Sequence, residues 1–163
     1  MQKIKITRKN LLKLLKTIRI EDLEEIKTFY KNNYQEKFLE NIFKFLKNKN
    51  TIFVKSSKNK SFAIGGVYFC PFFKDLKVGQ IWMISSYFYK KDKIELFEVI
   101  RNFVKKNEKN YDILFNFIYK SNFSFLKQLE KFDFNFIETK NKDYKLFYKI
   151  KKGVNFDIRY FTR

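Results

Sequence analysis

Apolar residues recur along the chain with two different periods. Ile20, Leu23, Ile26 and Tyr30 are three or four residues apart, which predicts a helix from residue 20 to about residue 32. The acidic residues of this segment lie in its first turn, where the helix dipole favours negative charge. Residues 35–48 carry a similar apolar stripe and predict a second helix.

The pattern then changes to short runs of β-branched and aromatic residues, which predict strands. The most apolar run, 80–89, is expected at the centre of a sheet. The predicted strands are 3–8, 51–57, 60–69, 80–89, 113–119, 134–139 and 144–150, with hairpin turns at 57–60 and 140–143. Two further helices are predicted at 92–106 and 122–132, and a short helical turn within 9–18.

This order predicts an α/β (α+β) domain with a mixed, mostly antiparallel central sheet flanked by about four helices. A length of 163 residues fits one domain. We predict that the domain covers residues 1–152 and that residues 153–163 form an aromatic and basic tail. The tail is expected to dock either on a partner or on the domain itself.

Composition excludes several classes of site. The chain has no histidine, so a Ser-His-Asp triad and imidazole metal ligands are excluded. Its single cysteine, Cys70, excludes a disulfide within the chain and a multi-cysteine zinc site, and we expect no metal. No apolar run reaches the length of about 18 residues that spans a bilayer, and no signal peptide is recognisable. We therefore expect a cytoplasmic protein that is not secreted.

The net charge of +19 raises the question of nucleic acid. Arginine, which reads base edges and clamps phosphates, is scarce: Arg8, Arg19, Arg101, Arg159 and Arg163 are the only ones. An A/T-rich genome accounts for much of the excess of lysine. We expect no more than weak association with polyanions from charge alone.

Three segments resemble the GNAT superfamily of N-acetyltransferases. Residues 19–26 (RIEDLEEI) look like the opening of its first helix, and residues 63–67 (AIGGV) look like its third strand. Residues 122–134 (NFSFLKQLEKFDF) look like its late helix. The resemblance spans about residues 2–150 and implies the GNAT fold.

Within that superfamily, the chain is most similar to a GNAT-like family of phage proteins related to an internal virion protein of short-tailed phages. The similarity lies in residues 81–86 (IWMISS), residues 114–118 (LFNFI), Asn122 and residues 125–126 (FL). It implies an acetyltransferase-like fold, with a role in virion assembly or in modifying a host target. The location is then the host cytoplasm or the virion.

The GNAT resemblance implies acetyl-CoA as a possible cofactor, held on backbone N–H groups of a glycine-rich turn after the central strand. The corresponding residues, 87–95, contain no glycine. Asp92 and Glu95 instead have the spacing of an N-cap and its capping-box partner, which would occupy those amides. Lys90, Lys91 and Lys93 could still attract phosphate as point charges.

The resemblance also assigns the pantetheine arm to the backbone of Ile84, Ser85 and Ser86. Asn122 could contact the same arm, or it could be the N-cap of the predicted helix 122–132.

The catalytic groups of the family are poorly matched. Leu129 stands where the resemblance places a general-acid tyrosine, and residues 81–86 contain no glutamate to act as the base. By position, Tyr87 and Tyr119 remain as candidate acids.

Other polar residues have two interpretations each. The acidic residues Glu21, Asp22, Glu24 and Glu25 are expected to form an exposed face that matches the helix dipole, or else to bind a metal or a basic partner. Asn116 could hydrogen-bond across the sheet, or be an ordinary paired or exposed residue.

Together these observations predict a GNAT-fold, phage-type protein with a degenerate acetyl-CoA site that acts by binding a protein partner. The first alternative is an acetyl-CoA-dependent N-acetyltransferase with an atypical phosphate loop. The second is a basic protein associated with nucleic acid through its charge.

Overall fold

The computed structural model of this chain describes residues 1–45, 50–56, 61–87 and 90–162, and for residues 45, 90 and 91 it describes the backbone alone. The helices are α1 Arg8–Lys16, α2 Ile20–Tyr30, α3 Tyr34–Phe45, α4 Lys90–Glu108 and α5 Phe123–Glu130, followed by a 3-10 helix, Ile158–Thr162. The strands are β1 Gln2–Lys3, β2 Thr51–Lys55, β3 Phe62–Cys70, β4 Val78–Ser85, β5 Ile113–Tyr119, β6 Asn135–Glu138 and β7 Tyr144–Ile150.

The strands form one seven-stranded sheet in the order β1-β2-β3-β4-β5-β7-β6. Antiparallel pairing joins β1 to β2, β2 to β3, β5 to β7 and β6 to β7. β4 and β5 are parallel, with a register that runs from Val78↔Ile113 to Gln80↔Phe115. The prediction of a mixed, mostly antiparallel sheet is confirmed, and the described residues contain five α-helices where about four were expected.

The chain divides into two compact units, Met1–Tyr68 with Trp82–Ile100 and Phe69–Ile81 with Arg101–Arg163. In the first unit, the inner faces of α1, α2 and α3 pack on β2 and β3. Leu11, Leu14 and Ile64 are fully buried there, and Trp82 packs against the same cluster. The helical stripes that the sequence predicts are therefore the faces that make this core.

The second unit has its core on β5 and β7. Ile113 and Leu146 are fully buried, and Cys70 lies in the same cluster. Burial raises the pKa of the Cys70 thiol, which leaves this residue a small apolar group and no nucleophile.

The aromatic tail packs within this second unit. The ring of Phe161 stacks on Phe115 of β5 with centroids 4.1 Å apart, and Phe73 makes edge contacts with Phe156 and Tyr160. Of the two positions that the sequence allowed for the tail, the structure shows docking on the chain itself.

The N-terminal segment differs from its prediction. The expected strand 3–8 is reduced to Gln2–Lys3, and the expected turn within 9–18 is a nine-residue helix. Thr7 decides the boundary, because its hydroxyl accepts a hydrogen bond from the backbone N–H of Asn10 and so caps α1.

Other predicted boundaries change as well, most of them by one or two residues. The predicted strand 80–89 is shifted to Val78–Ser85, and the predicted helix 92–106 begins earlier, at Lys90. The predicted turn at 57–60 lies outside the described residues.

Candidate functional site

The end of β4 holds Ser85 and Ser86, to which the resemblance to the GNAT superfamily assigned cofactor binding through their backbone. Both are buried, with 3% and 0% of their surface exposed. The N–H of Ser85 donates to Asp22 Oδ2 at 3.1 Å, and the carbonyl of Ser85 accepts from the N–H of Arg19 at 3.2 Å. The chain itself thus occupies both backbone groups of Ser85.

Ser86 and Tyr87 are held in the same way. The N–H of Ser86 donates to the carbonyl of Phe62, and the Ser86 hydroxyl accepts from the N–H of Phe62 at 2.7 Å. The N–H of Tyr87 donates to the carbonyl of Thr17 at 2.8 Å, while the Tyr87 side chain is 71% exposed. Ile84, the third residue assigned to the cofactor, is partly buried against the core of the first unit.

The first turn of α4 contains a buried carboxylate. Asp92 is 2% exposed, and its two oxygens accept hydrogen bonds from the hydroxyls of Ser56 and Ser61 at 2.8 and 2.7 Å. A buried carboxylate needs such donors, because water no longer solvates it.

The predicted capping box is wrong. α4 begins at Lys90, so Asp92 is a residue of the first turn and not the N-cap. Glu95 does not reach back to Asp92, because its carboxylate pairs with the amino group of Met1 at 2.9 Å.

The lysines proposed for phosphate are only partly described. Lys93 is exposed on the first turn of α4. The side chains of Lys90 and Lys91 and the whole of residues 88–89 lie outside the described part of the chain.

In the second unit, Asn122 is the N-cap residue of α5 and is 3% exposed. Its side chain makes no cap hydrogen bond, and its carbonyl accepts from the N–H groups of Phe125 and Leu126. Tyr119 packs edge-on against Tyr144 and lines a groove of about 710 Å³. Leu129 is 4% exposed and belongs to the core, so the position of the family's general acid carries an apolar packing residue.

Asn116 on β5 bridges to β4. Its Nδ2 donates to the carbonyl of Ile81 at 2.8 Å, and its Oδ1 accepts from Nε2 of Gln80 at 2.9 Å. These bonds lie just beyond the last backbone pair of the two strands, Gln80↔Phe115. The side chain therefore hydrogen-bonds the carbonyl of Ile81, which has no partner in the parallel pairing of the two strands. Of the two interpretations of Asn116, the structure shows the hydrogen bond across the sheet.

The sequence did not indicate that Glu25 has an unusual pKa. Burial, together with the charge of Asp22 one helical turn earlier, raises its pKa from 4.5 to about 7, and the cation of Arg19 opposes this shift. The expectation that the acidic residues of α2 form an exposed face is wrong for Asp22, which is buried against the N–H of Ser85. The i, i+3 spacing of Asp22 and Glu25 indicates in the sequence that the two carboxylates are close together. Their burial depends on distant segments and could not be predicted from that spacing.

Among the residues that the structure describes, no cluster of three or more acidic, cysteine or histidine side chains could hold a metal ion. Within the same described ranges, no helix combines the length and the apolar character that crossing a membrane requires.

Comparison with known proteins identifies structures with a similar fold. A scan against models of protein families finds no match, and neither does a search of curated proteins. Solved structures do match. PH1933 from Pyrococcus horikoshii aligns with a TM-score of 0.60 and 16% identity over 91% of this chain and 95% of its own.

The PaiA N-acetyltransferase from Thermoplasma acidophilum, solved in complex with coenzyme A, aligns with a TM-score of 0.55 and 16% identity over 91% of this chain and 98% of its own. A GNAT-family acetyltransferase from Listeria monocytogenes aligns with a TM-score of 0.53 and 12% identity over 91% and 99%. The chain therefore has the GNAT acetyltransferase fold.

Proposed function

We propose that this protein keeps the GNAT fold without a working acetyl-CoA site and acts by binding a protein partner. The observation that supports this proposal is the hydrogen bonding of the Ser85 backbone. Its N–H and C=O, which would hold the pantetheine arm, are hydrogen-bonded to Asp22 and Arg19. A cofactor arm would have to break both bonds, which together are worth about 2–4.5 kcal/mol because one of them is made to a carboxylate.

The other expected parts of the cofactor and catalytic sites are also altered. The segment leading into α4 contains no glycine, and its first helical turn holds the buried carboxylate of Asp92. That charge takes up part of the positive potential that a helix N-terminus offers to phosphate. Leu129 cannot donate a proton to a leaving thiolate.

A protein partner is favoured by the surface of the second unit. Phe72 is 83% exposed, Tyr160 is 61% exposed and Phe69 is 47% exposed. Phe69 and Phe72 belong to one short segment of the chain, and Phe73 of the same segment contacts the ring of Tyr160, so this segment and the tail both carry exposed aromatic side chains. Such groups mark interaction surfaces. The resemblance to phage proteins supports a role in virion assembly or in interference with a host process.

The proposal is tested by calorimetric titration of the full chain with acetyl-CoA and desulfo-CoA at moderate salt. A GNAT enzyme known to bind coenzyme A serves as the positive control, and heparin as a polyanion control. We expect no saturable binding of either CoA compound. Any weak binding should also occur with heparin and should disappear when salt is added.

A matched pair of variants distinguishes a phosphate-binding site from attraction by the overall positive charge. Lys93 and Lys105 are both exposed lysines of α4, and Lys93 lies in the first turn. Stoichiometric binding that Lys93→Glu weakens at least tenfold more than Lys105→Glu would overturn the proposal, because it would locate a phosphate site at the start of α4.

The geometry of α2 supports a second candidate, an acetyl-CoA-dependent N-acetyltransferase with an atypical phosphate loop. A carboxyl with a pKa of about 7 is suited to accept a proton from an amine, and Glu25 lies one turn from Asp22, which binds the end of β4. This candidate predicts thiol release from acetyl-CoA with a panel of primary amines and its loss in Glu25→Gln. Absence of turnover with every amine would exclude it.

A further inference from the structure

The outer face of α1 carries a row of lysines, which we call the α1 lysine stripe: Lys9, Lys13 and Lys16. All three are exposed, and Lys5 and Arg8, at the N-terminal end of the row, are exposed as well. At 100° per residue the stripe lies opposite Leu11, Leu14 and Leu15, which are buried in the core of the first unit. The fold therefore fixes the stripe toward solvent.

The charge of the stripe is uncompensated along the sequence. The first acidic residue is Glu21, and before it the chain has Lys3, Lys5, Arg8, Lys9, Lys13, Lys16 and Arg19. The three lysines of the stripe therefore have no acidic residue three or four positions away with which to pair along the helix.

The fold does not neutralise the stripe either. Among the residues that the structure describes, the ion pairs of the first unit are Met1–Glu95, Arg19–Glu21 and Lys27–Glu24. None includes a residue of the stripe. Residues 46–49, 57–60, 88–89 and 163 contain no acidic residue that could supply a partner.

The chemistry of the stripe selects its ligand. From Lys9 to Lys16 the helix rises about 10 Å, the axial distance over which one strand of a duplex presents about three phosphates. The stripe has no aromatic side chain on which a base could stack, which disfavours single strands. Lysine acts as a point charge and does not read base edges in the bidentate manner of arginine.

We propose that the α1 lysine stripe binds the phosphodiester backbone of double-stranded nucleic acid without sequence preference. This activity goes beyond the proposed function and does not depend on whether acetyl-CoA binds.

The test measures binding of the full chain to a fluorescein-labelled mixed-sequence DNA duplex by anisotropy, over a series of salt concentrations. The first variant carries Lys9→Glu, Lys13→Glu and Lys16→Glu. The matched control carries Lys74→Glu, Lys109→Glu and Lys140→Glu, three exposed lysines of the second unit, so that both proteins have the same net charge.

We expect the stripe variant to lose at least tenfold in affinity and the control less than threefold. Each lost phosphate contact lowers the slope of log K against log salt by about 0.9, so the slope should fall by about 3 in the stripe variant. A variant with glutamine at the three stripe positions should lose affinity in the same direction. Circular dichroism checks that the helix content of each variant equals that of the natural chain.

Equal losses in the two glutamate variants would overturn the proposal, because general charge would then explain the binding. Tighter binding of a dT oligonucleotide, of polyglutamate or of phosphatidylserine vesicles than of the duplex would also overturn it, in favour of a single strand, an acidic protein or a membrane surface. Equal affinity for duplex RNA and duplex DNA would support recognition of the backbone.

Discussion

Three acidic side chains in the first unit have roles that follow from their neighbours. Asp22 accepts from the N–H of Ser85, and Asp92 accepts from the hydroxyls of Ser56 and Ser61. Glu25 is held with a raised pKa. In the sequence all three resemble ordinary acidic residues near a helix start, because burial is decided by residues far along the chain.

The raised pKa of Glu25 predicts a pH dependence of stability. Its pKa is about 7 in the folded chain, and the usual value of 4.5 applies to the unfolded chain. Between pH 4.5 and pH 7 the folded state therefore binds more protons than the unfolded state. The free energy of unfolding therefore falls as pH rises through this window and stays lower above it. Glutamine cannot ionise, so the stability of Glu25→Gln relative to the natural chain should grow by about 1–3 kcal/mol from pH 4 to pH 8.

Urea unfolding of both proteins at a series of pH values measures this difference. Glu24→Gln removes the same charge from the exposed face of α2 and serves as the control. If both variants gained the same amount with pH, the effect would come from net charge and not from the burial of Glu25.

At the scale of elements, β3 shows why one strand carries two adjacent glycines. A Cβ on Gly65 would lie 3.0 Å from the backbone carbonyl oxygen of Trp82. A Cβ on Gly66 would lie 3.0 Å from the Trp82 ring and 3.1 Å from the hydroxyl of Thr51. The glycine pair that resembles the GNAT third strand thus lets β3 pass close to Trp82.

These contacts predict unequal costs for two substitutions. Gly65→Ala should lower the free energy of unfolding by about 1–3 kcal/mol, because a strand carbonyl cannot move aside without disturbing the sheet. Gly66→Ala should cost less, since side chains can shift and alanine also lowers the entropy of the unfolded chain.

Urea unfolding followed by the fluorescence of Trp82, the single tryptophan of the chain, measures both variants. Only Gly66→Ala is expected to shift the emission maximum of the folded state, because its Cβ faces the ring. A Gly65→Ala protein as stable as Gly66→Ala would contradict the contact with the carbonyl.

The helices show which boundaries local pattern can set. The apolar stripe of α2 begins at Ile20 as expected, because its period is a property of the segment itself. α4 begins two residues before the expected Asp92, which lies in the first turn and accepts hydrogen bonds from the hydroxyls of Ser56 and Ser61.

At the scale of the whole molecule, the net charge of +19 and an isoelectric point near 9.9 dominate the surface. Repulsion among these charges destabilises the folded state. Raising sodium chloride from about 0.1 M to about 1 M shortens the screening length from about 10 Å to about 3 Å. We therefore expect the thermal midpoint to rise over this range.

Differential scanning fluorimetry in sodium chloride measures the rise, with sucrose as an uncharged control for general solute effects. A midpoint that does not change with salt would indicate that repulsion among the surface lysines does not lower the stability of the folded state.

The sequence by itself determined the order of helices and strands, the mixed sheet and the resemblance to the GNAT fold, because periodicity and local turn chemistry are carried by neighbouring residues. It also determined that histidine chemistry is absent and that the segment before α4 has no glycine. These properties do not depend on how the chain folds back on itself.

Only the tertiary structure decided which polar groups are buried and what they bind. Asp22 and Ser85 are 63 residues apart in sequence, and Ser56 and Asp92 are 36 apart. The bridge from Asn116 to Ile81, the docking of Phe161 on Phe115 and the raised pKa of Glu25 depend on similar long-range or buried contacts. A side chain's partner, and with it the state of the candidate site, is fixed by packing between distant segments, which no local pattern encodes.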